Sequence, residues 1–401
     1  MAARLRAAVI GTGFAGSQHA DALRRIPGAD LVAISASSVQ RAAEAGARLG
    51  VARTYGDHRQ LLADETLDVI HVCVPNDRHL MVTADALASG HHVISEKPLA
   101  RDVVEAQALV QAADASDRLA VLCHNYRFYS IIAKLREMAG ANLGRLHTVR
   151  GAYLQDWLLD ARDMNWRIDP IRGGPGRTLG DIGTHWLDLA EVVTGRRVTE
   201  VLADVATVHP RRRFAGLSPF AEVVASADPR DADGEWVDVT TEDTASLLLR
   251  FDDGLRGSVD LSQVAGGHKN DLELSIDGTA GSATWRQERA DELLLGWRDR
   301  PNEIMHRESD MVPYRSSAPL PAGHHEGWSD ALRNLIEASY AVIRGDLAAD
   351  DLAVPLPTFR DGLHHLQVVE AALASTVRGE WIKVSAGQQA DMSVMAGGFE
   401  S

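Results

Sequence analysis

Cysteine is almost missing from this chain: among 401 residues only Cys73 and Cys123 carry thiols, each inside an apolar run. Two buried thiols make no disulfide framework, so both are read as inert core residues of a reducing compartment. Long apolar runs are missing too; none approaches the roughly 18 residues that suggest a membrane span. The basic start Arg4–Arg6 leads into Gly11 and Gly13 rather than into a long apolar stretch, which argues against a leader peptide. Positive charge is in deficit, with 41 Lys and Arg against 56 Asp and Glu and a net charge of -15. That field repels phosphate backbones and anionic membranes, so neither nucleic acid nor membrane is expected as a partner. No internal repeat is evident. What is present, 45% hydrophobic and 24% charged residues, is ordinary globular composition and predicts a soluble cytoplasmic protein. At roughly 150 residues per domain the length suggests two or three domains with a sizeable core.

From residue 7 to about 123, short β-branched runs (Ala7–Ile10, Leu31–Ser35, Val69–Val74, Val93–Ser95, Ala120–Cys123) alternate with longer amphipathic stretches. That rhythm predicts a βαβ series with a doubly wound parallel sheet whose strands are covered on both faces. Asp102 followed by Glu105 has the spacing of a capping box. After residue 125 the pattern changes to longer alternating segments. Thr244–Phe251 and Leu255–Gln263 flank the turn Asp252-Asp253-Gly254, and Asp271–Ile276 and Ser282–Gln287 flank Asp277-Gly278-Thr279. These read as antiparallel hairpins. The expected fold is therefore an α/β chain: a dinucleotide-binding domain over residues 1–125, then an α+β domain over 126–401 with a large, mostly antiparallel open sheet. Two stretches, about 207–238 and 296–327, lack periodicity and read as long loops. Helices near His325–Ile343 and Phe359–Val377 are too few for a bundle and should pack on existing layers, including a return to the first domain.

Gly11-Thr12-Gly13-Phe14-Ala15-Gly16 follows the first predicted strand and opens a helix. In that context three glycines let the backbone turn sharply and approach a pyrophosphate at the helix N-terminus. An NAD site usually places Asp or Glu about 20 residues further on, at the end of the second strand. This chain has Ser35-Ala36-Ser37-Ser38 there, with Arg41 nearby. Without a carboxylate to repel it, and with hydroxyl and guanidinium donors at hand, the extra phosphate of NADP is favoured. The competing explanation is that the serines simply cap the next helix.

Ser95-Glu96-Lys97-Pro98 follows the fourth predicted strand, and Pro98 biases Lys97 away from helical geometry at the sheet's carboxyl edge. An ammonium there can donate to an alcohol or carbonyl oxygen and favour the negative charge that develops during hydride transfer. In Gly180-Asp181-Ile182-Gly183-Thr184-His185, helical spacing puts Asp181 and His185 one turn apart. The expectation is that Asp181 orients His185 while the imidazole moves the alcohol proton. His91-His92, His324-His325 and His364-His365 are adjacent pairs whose side chains should diverge, and no metal is expected.

Together these motifs, with Pro75-Asn76 and His79 after the third strand and Asn125-Tyr126-Arg127, resemble the Gfo/Idh/MocA oxidoreductase family, the glucose–fructose oxidoreductase and inositol dehydrogenase group. The resemblance covers nearly the whole chain. It implies a Rossmann domain followed by an open-sheet domain, a nicotinamide cofactor touched by Pro75, Asn76, His79, Glu96 and Lys97, and a catalytic set of Lys97, Asp181 and His185. Tyr153, Gln155, Asp156 and Trp157, with Trp166 and Arg167, look similar to the levoglucosan dehydrogenase branch and its sugar- and inositol-oxidising relatives. As substrate contacts they join Tyr126 and Arg127: aromatic faces suit the C–H side of a pyranose or cyclitol, and the polar groups suit its hydroxyls. Ala36 departs from the acidic residue of the levoglucosan pattern.

The expected function is NAD(P)-dependent oxidation of a sugar or cyclitol secondary alcohol, or reduction of its ketone. One alternative is a glycoside-cleaving enzyme using transient oxidation and elimination; another is a non-catalytic nucleotide-sensing protein. The open sheet should carry a homodimer or homotetramer interface.

Overall fold

The computed structural model describes residues 4–214, 235–312 and 320–384. The first layer is built by strands β1 (Leu5–Ile10), β2 (Ala29–Ser35), β3 (Arg53–Tyr55), β4 (Val69–Val72), β5 (His92–Ser95) and β6 (Ala120–Leu122). Helices α1 (Phe14–Arg24), α2 (Val39–Leu49), α3 (His58–Asp64), α4 (His79–Ala88) and α5 (Val103–Asp114) connect them. All pair in parallel in the order β3-β2-β1-β4-β5-β6, the doubly wound Rossmann arrangement with its ligand crevice at the carboxyl ends of β1 and β4. Val69 to Val72 are buried without interruption, as a strand covered on both faces requires. β3 gives no sequence signal because it is a short edge strand with Arg53 exposed. Asp102 does accept from the Glu105 amide at 2.8 Å, but Glu105 reaches back to the Arg101 amide at 3.3 Å, one residue beyond the position a capping box requires.

The chain then forms α6 (Ser130–Ala141), β7 (Leu146–Leu154), the short α7 (Pro170–Gly173), α8 (Thr184–Thr194) and β8 (Val198–Ala206). β9 (Arg211–Phe214) pairs with β10 (Glu235–Asp238), so strands occupy both ends of the stretch expected to be a loop; residues 215–234 of it lie outside the described residues. The sheet continues with β11 (Thr244–Phe251), β12 (Arg256–Ser262), β13 (Asp271–Gly278), β14 (Ser282–Arg286), β15 (Glu292–Gly296) and β16 (Glu303–His306). The second expected loop thus begins with a hairpin, and residues 313–319 of it lie outside the described residues. The hairpin turn expected after β11 places Asp253 at φ 61° and Gly254 at φ 81°. Helices α9 (Trp328–Ile343) and α10 (Phe359–Arg378) precede the edge strand β17 (Ile382–Lys383).

The larger sheet runs β16-β15-β14-β13-β7-β12-β11-β8-β17, antiparallel except where β12 meets β7. Its strands alternate: Leu247 and Leu249 are buried, Leu248 is exposed. The buried face packs against α6, α8 and α10 through Leu135, Trp186 and Val369, among others. α9 returns to the parallel layer, where Leu332, Leu335 and Ile336 share a core with Ala20 and Leu23 of α1. α10 starts at a true capping box formed by Thr358 and Asp361. It also joins the layers, with Phe359 and Leu366 in the core of the parallel sheet and Val368 to Leu373 in that of the antiparallel one. Cys73 and Cys123 are free and buried, and burial pushes both thiols well up. Among the described residues no helix is long and apolar enough to cross a membrane.

Gly151 of β7 tests the inter-layer packing. A Cβ there would lie 1.9 Å from Glu273 O and 2.6 Å from the Trp186 indole nitrogen, whereas exposed Gly140 in α6 has nothing within 4 Å. Gly151→Ala should cost about 1–3 kcal/mol by overpacking, and Gly140→Ala should stabilise by about 0.5–1 kcal/mol. Urea denaturation of the two variants measures both signs.

Candidate active site

The glycine loop is shaped from β1 outward. Gly11 has φ +100° and a Cβ there would meet Cys73 O at 2.3 Å, while a Cβ on Gly16 would meet Gly11 O at 1.9 Å. Each position therefore excludes a side chain, one at the tight turn and one where α1 packs on the strand. Gly13 differs, because its missing Cβ faces open space at the N-terminus of α1, and that helix end has no side-chain cap. Free amides, the positive end of the helix dipole and an open approach fit a dinucleotide pyrophosphate. Ala15 follows in the first turn, and Phe14, 47% exposed, sets its ring 5.9 Å from that of Trp328, making an aromatic lip beside the cradle. Arg48, which no sequence pattern singled out, donates to Thr12 O at 2.9 Å and so puts a cation beside the loop.

At the end of β2, Ser35 is buried and its carbonyl accepts from the Gly11 amide. Ser38 caps α2, accepting from the Arg41 amide at 3.3 Å, so for this residue the capping explanation holds. Ser37 and Arg41 are exposed and joined by a 3.3 Å hydrogen bond. Pro75 leads the turn after β4, but Asn76 and His79 turn inward. The Asn76 amide donates to Gly173 O at 2.8 Å, and the His79 ring sits between Pro98 O at 2.8 Å and Val74 O at 2.9 Å. Both side chains bind the loops to one another.

Lys97 stands where β5 ends, preceding a cis Pro98. Its Nζ donates to the Asp181 carbonyl at 2.9 Å and to Asp181 Oδ1 at 2.8 Å. Glu96 beside it accepts from the Lys97 amide at 3.1 Å and contacts the His19 ring at 3.1 Å. Burial pushes Glu96 up, but these partners outweigh it and hold the carboxyl at about 2.

Asp181 does not orient His185 as the helical spacing predicted. Leu179–Gly183 form a π-helical turn before α8, which breaks the i,i+4 register. The carboxylate bonds Lys97, Arg167 Nε at 3.1 Å and Gln263 Nε2 at 2.8 Å, and among the described residues it makes no hydrogen bond to His185. Burial raises Asp181, yet the charges of Lys97 and Arg167 win and keep it well below the usual carboxylate range. His185 is 7% exposed. Burial, with the Lys97 charge beside it, lowers its imidazole from 6.5 to about 3.

Tyr126 sets its ring edge-on to His185, centroids 4.8 Å apart. Its hydroxyl meets Tyr153 Oη at 2.7 Å, and both bond Asn270, at 3.0 and 2.7 Å. Gln155 Nε2 reaches Asn270 at 2.8 Å, and Trp157 Nε1 donates to Gln155 Oε1 at 2.8 Å. Burial pushes the Tyr126 phenol up to about 12 and Tyr153 well above its ordinary value, so both stay protonated donors. Asn270 and Gln263 carried no sequence signal, since each reaches the site from a strand end far along the chain.

Other expected contacts have protein partners of their own. Arg127 is buried, with Nε 2.7 Å and Nη2 2.5 Å from Asp188, 3.2 Å from Asp361, and Nη1 on Pro355 O, so its guanidinium is committed to these protein partners. Asp156 is held by Lys269 at 2.6 Å. One face of Trp166 is covered by the Arg167 guanidinium, 4.5 Å from the ring centroid. His364 and His365 do not diverge: both rings approach the Glu191 carboxylate, at 2.8 and 3.4 Å.

Residues 5–124 match the family described as "Oxidoreductase family, NAD-binding Rossmann fold", and residues 132–284 match the "GFO/IDH/MocA C-terminal domain". The chain belongs to the Gfo/Idh/MocA oxidoreductase family. Within this family it is 29% identical over 401 residues to a levoglucosan dehydrogenase of Pseudarthrobacter phenanthrenivorans, covering 95% of this chain and 98% of the relative. A solved levoglucosan dehydrogenase in complex with NADH and L-sorbose superposes with a TM-score of 0.84 at 25% identity, covering 96% and 100% of the two chains. An inositol dehydrogenase homologue complexed with NAD+, from Azotobacter vinelandii, gives 0.80 at 27% identity, covering 96% and 98%. As a Gfo/Idh/MocA protein the chain is an oxidoreductase with an NAD-binding fold.

Two outcomes check this geometry. Gly13→Ala should keep native stability while weakening NADH binding about tenfold, by blocking the phosphate approach; calorimetric titration measures it. His185 should show no titration between about pH 5 and 8, staying neutral where a free imidazole gains its proton. Histidine-selective NMR reads the ring directly, and a midpoint near 6.5 would contradict the burial argument.

Proposed function

We propose that the protein is an NAD(P)-dependent dehydrogenase that oxidises a secondary alcohol of a sugar or cyclitol, or reduces the matching ketone. The observation that carries this reading is the convergence of Lys97, from the carboxyl edge of the parallel sheet, with Asp181 and His185 from the helix that begins on the antiparallel layer. Lys97 has three N–H donors; two are engaged with Asp181, and the third is left for a carbinol oxygen. There the ammonium favours negative charge developing on oxygen. Asp181, braced by Arg167 and Gln263, aims Lys97; this replaces the orienting role expected toward His185. His185 is neutral, and its Nε2 takes the hydroxyl proton. A nicotinamide cofactor held at the Gly11–Gly16 cradle would supply the hydride acceptor.

Tyr126, Tyr153, Asn270, Gln155 and Trp157 form one hydrogen-bonded strip beside His185. Hydroxyl and amide groups in such a strip suit a polyol, and the names of the relatives support the same class. At the ribose end, exposed Ser37 and Arg41 without a carboxylate favour acceptance of a 2′-phosphate. The outer sheet face exposes Leu248 and Leu294, at 49% and 50%, and we assign it to a homodimer or homotetramer interface.

The test is a screen of anhydrosugars, cyclitols and aldoses, followed by nicotinamide absorbance with NAD and NADP. Reduction of cofactor by a polyol is expected; release of an aglycone without net reduction would instead indicate elimination chemistry. With the best substrate, Lys97→Ala should lower kcat/KM about 100- to 1,000-fold and leave cofactor affinity unchanged. Arg41→Ala should lower kcat/KM for NADP about tenfold without affecting NAD. Equal activity of wild type and Lys97→Ala would refute the assignment.

A further inference from the structure

Behind His185 lies a row of buried groups that the hydride-transfer chemistry does not use. His185 Nδ1 is sealed from solvent and has no hydrogen-bond partner among the described residues. His124, at the end of the segment after β6, sets its ring edge-on to His185 with centroids 5.4 Å apart. His365 of α10 stands edge-on to His124 at 5.1 Å. Both nitrogens of His124 and both of His365 are buried and unpartnered by hydrogen-bond geometry. His365 Nε2 is 3.4 Å from Glu191 Oε2, and Glu191 Oε1 is 2.8 Å from His364 Nε2, whose side chain is 18% exposed. The row therefore begins at the reacting proton and ends at solvent.

Unpaired buried imidazoles are costly unless something bridges them. His124, His365 and Asp188 each bring one polar atom within 4.8 Å of the others, a span that one water closes with two ordinary hydrogen bonds. A divalent cation fits less well. Both Asp188 oxygens already accept from Arg127, and that buried guanidinium opposes a second positive charge.

Building on the dehydrogenase reading above, we propose that His124 and His365 form a proton relay that carries the substrate hydroxyl proton from His185 through Glu191 and His364 to solvent. In oxidation, His185 Nε2 gains the hydroxyl proton as the C–H electron pair leaves as hydride to the nicotinamide and the C=O bond forms. His185 Nδ1 then gives its proton, through water, to one nitrogen of His124. The other nitrogen of His124 passes a proton to His365 through the water that bridges them, and His365 passes one to the Glu191 carboxylate. Glu191 gives it to His364, which releases it to bulk water. Each group accepts one proton and loses one, so each ends the turnover with the charge it began with, Glu191 as a carboxylate and the imidazoles neutral, and the ring tautomers reset before the next.

The surroundings explain why the proton must leave. Lys97 and Arg127 face this row from the turn after β5 and the segment after β6. Asp188 and Asp361 are tied to Arg127, and Glu191 and Asp361 are tied to Arg197. Burial, with these cations, lowers His124 and His185 well below the ordinary imidazole value, so an imidazolium is not a resting state in either position.

The experiment uses the full-length protein and two variants, His365→Gln and His124→Asn, with circular dichroism to establish native folding; either variant suffices if the other fails to fold. Water-exchange NMR of the His185 ring N–H in free protein should slow about tenfold in the variant. In single turnovers, proton release read by a pH indicator should lag cofactor reduction by about tenfold, and imidazole buffer should restore it. Hydride transfer itself should be unchanged, which a merely structural defect would not spare. Unaltered ring exchange in a folded variant overturns the relay, whether or not the polyol screen finds a substrate. Lack of turnover by wild type falls on the dehydrogenase reading instead. One equivalent of metal bound by wild type and lost from His365→Gln would also overturn the relay, in favour of a metal site.

Discussion

Lys97 Nζ lies 2.8 Å from Asp181 Oδ1, and this bridge ties the carboxyl edge of the parallel sheet to the helix that opens on the antiparallel one. Both side chains are nearly buried, at 12% and 14% exposure, so removing the Asp181 carboxylate would strand the Lys97 ammonium at a cost of about 3–5 kcal/mol, whereas Asp181 without Lys97 would keep Arg167. The two layers thus share one charged contact at the place where the chemistry is assigned. From the Lys97 side, Glu96 leads to His19, His71 and Tyr340, a row of hydrogen bonds that ends on α9. From the Asp181 side, Gln263 and Arg167 fix the carboxylate from the end of β12 and from the segment before α7.

The π turn that presents Asp181 is itself held by buried charge. Glu242 accepts from the Leu179 amide at 2.8 Å and from the Arg177 amide at 3.1 Å, while Arg177 and Arg212 both bind Asp243. Arg127 performs the corresponding task for α8 through Asp188, and reaches α10 through Asp361. Such ion pairs contribute orientation more than stability. They keep the polar groups at the site preorganised, which is what the proposed hydride transfer between two bound molecules demands.

The parallel layer was legible because its strands are short apolar runs and its glycines sit between strand and helix. The hairpins of the second half were legible where turn residues separated alternating segments, as at Asp252-Asp253-Gly254. Strand β3 escaped because an exposed edge needs no apolar run, and the pair β9–β10 because its partners are separated by residues without periodicity. Within the site, Lys97, Asp181 and His185 stand out locally, whereas Asn270 and Gln263 do not; an amide at the end of a strand has no pattern of its own.

The sequence alone determined the order of the main elements, the glycine cradle and the candidate groups for polarising an oxygen or moving a proton. Those features depend on neighbours a few residues apart, where periodicity and turn chemistry act. Tertiary structure decided what each group bonds to: a π turn gave Asp181 to Lys97 instead of His185, Asp188 and Asp361 locked Arg127 beneath the site, and α10 brought His365 behind His124. Those partnerships join residues far apart in the chain, and charge, burial and distance select among them only after the two layers have packed.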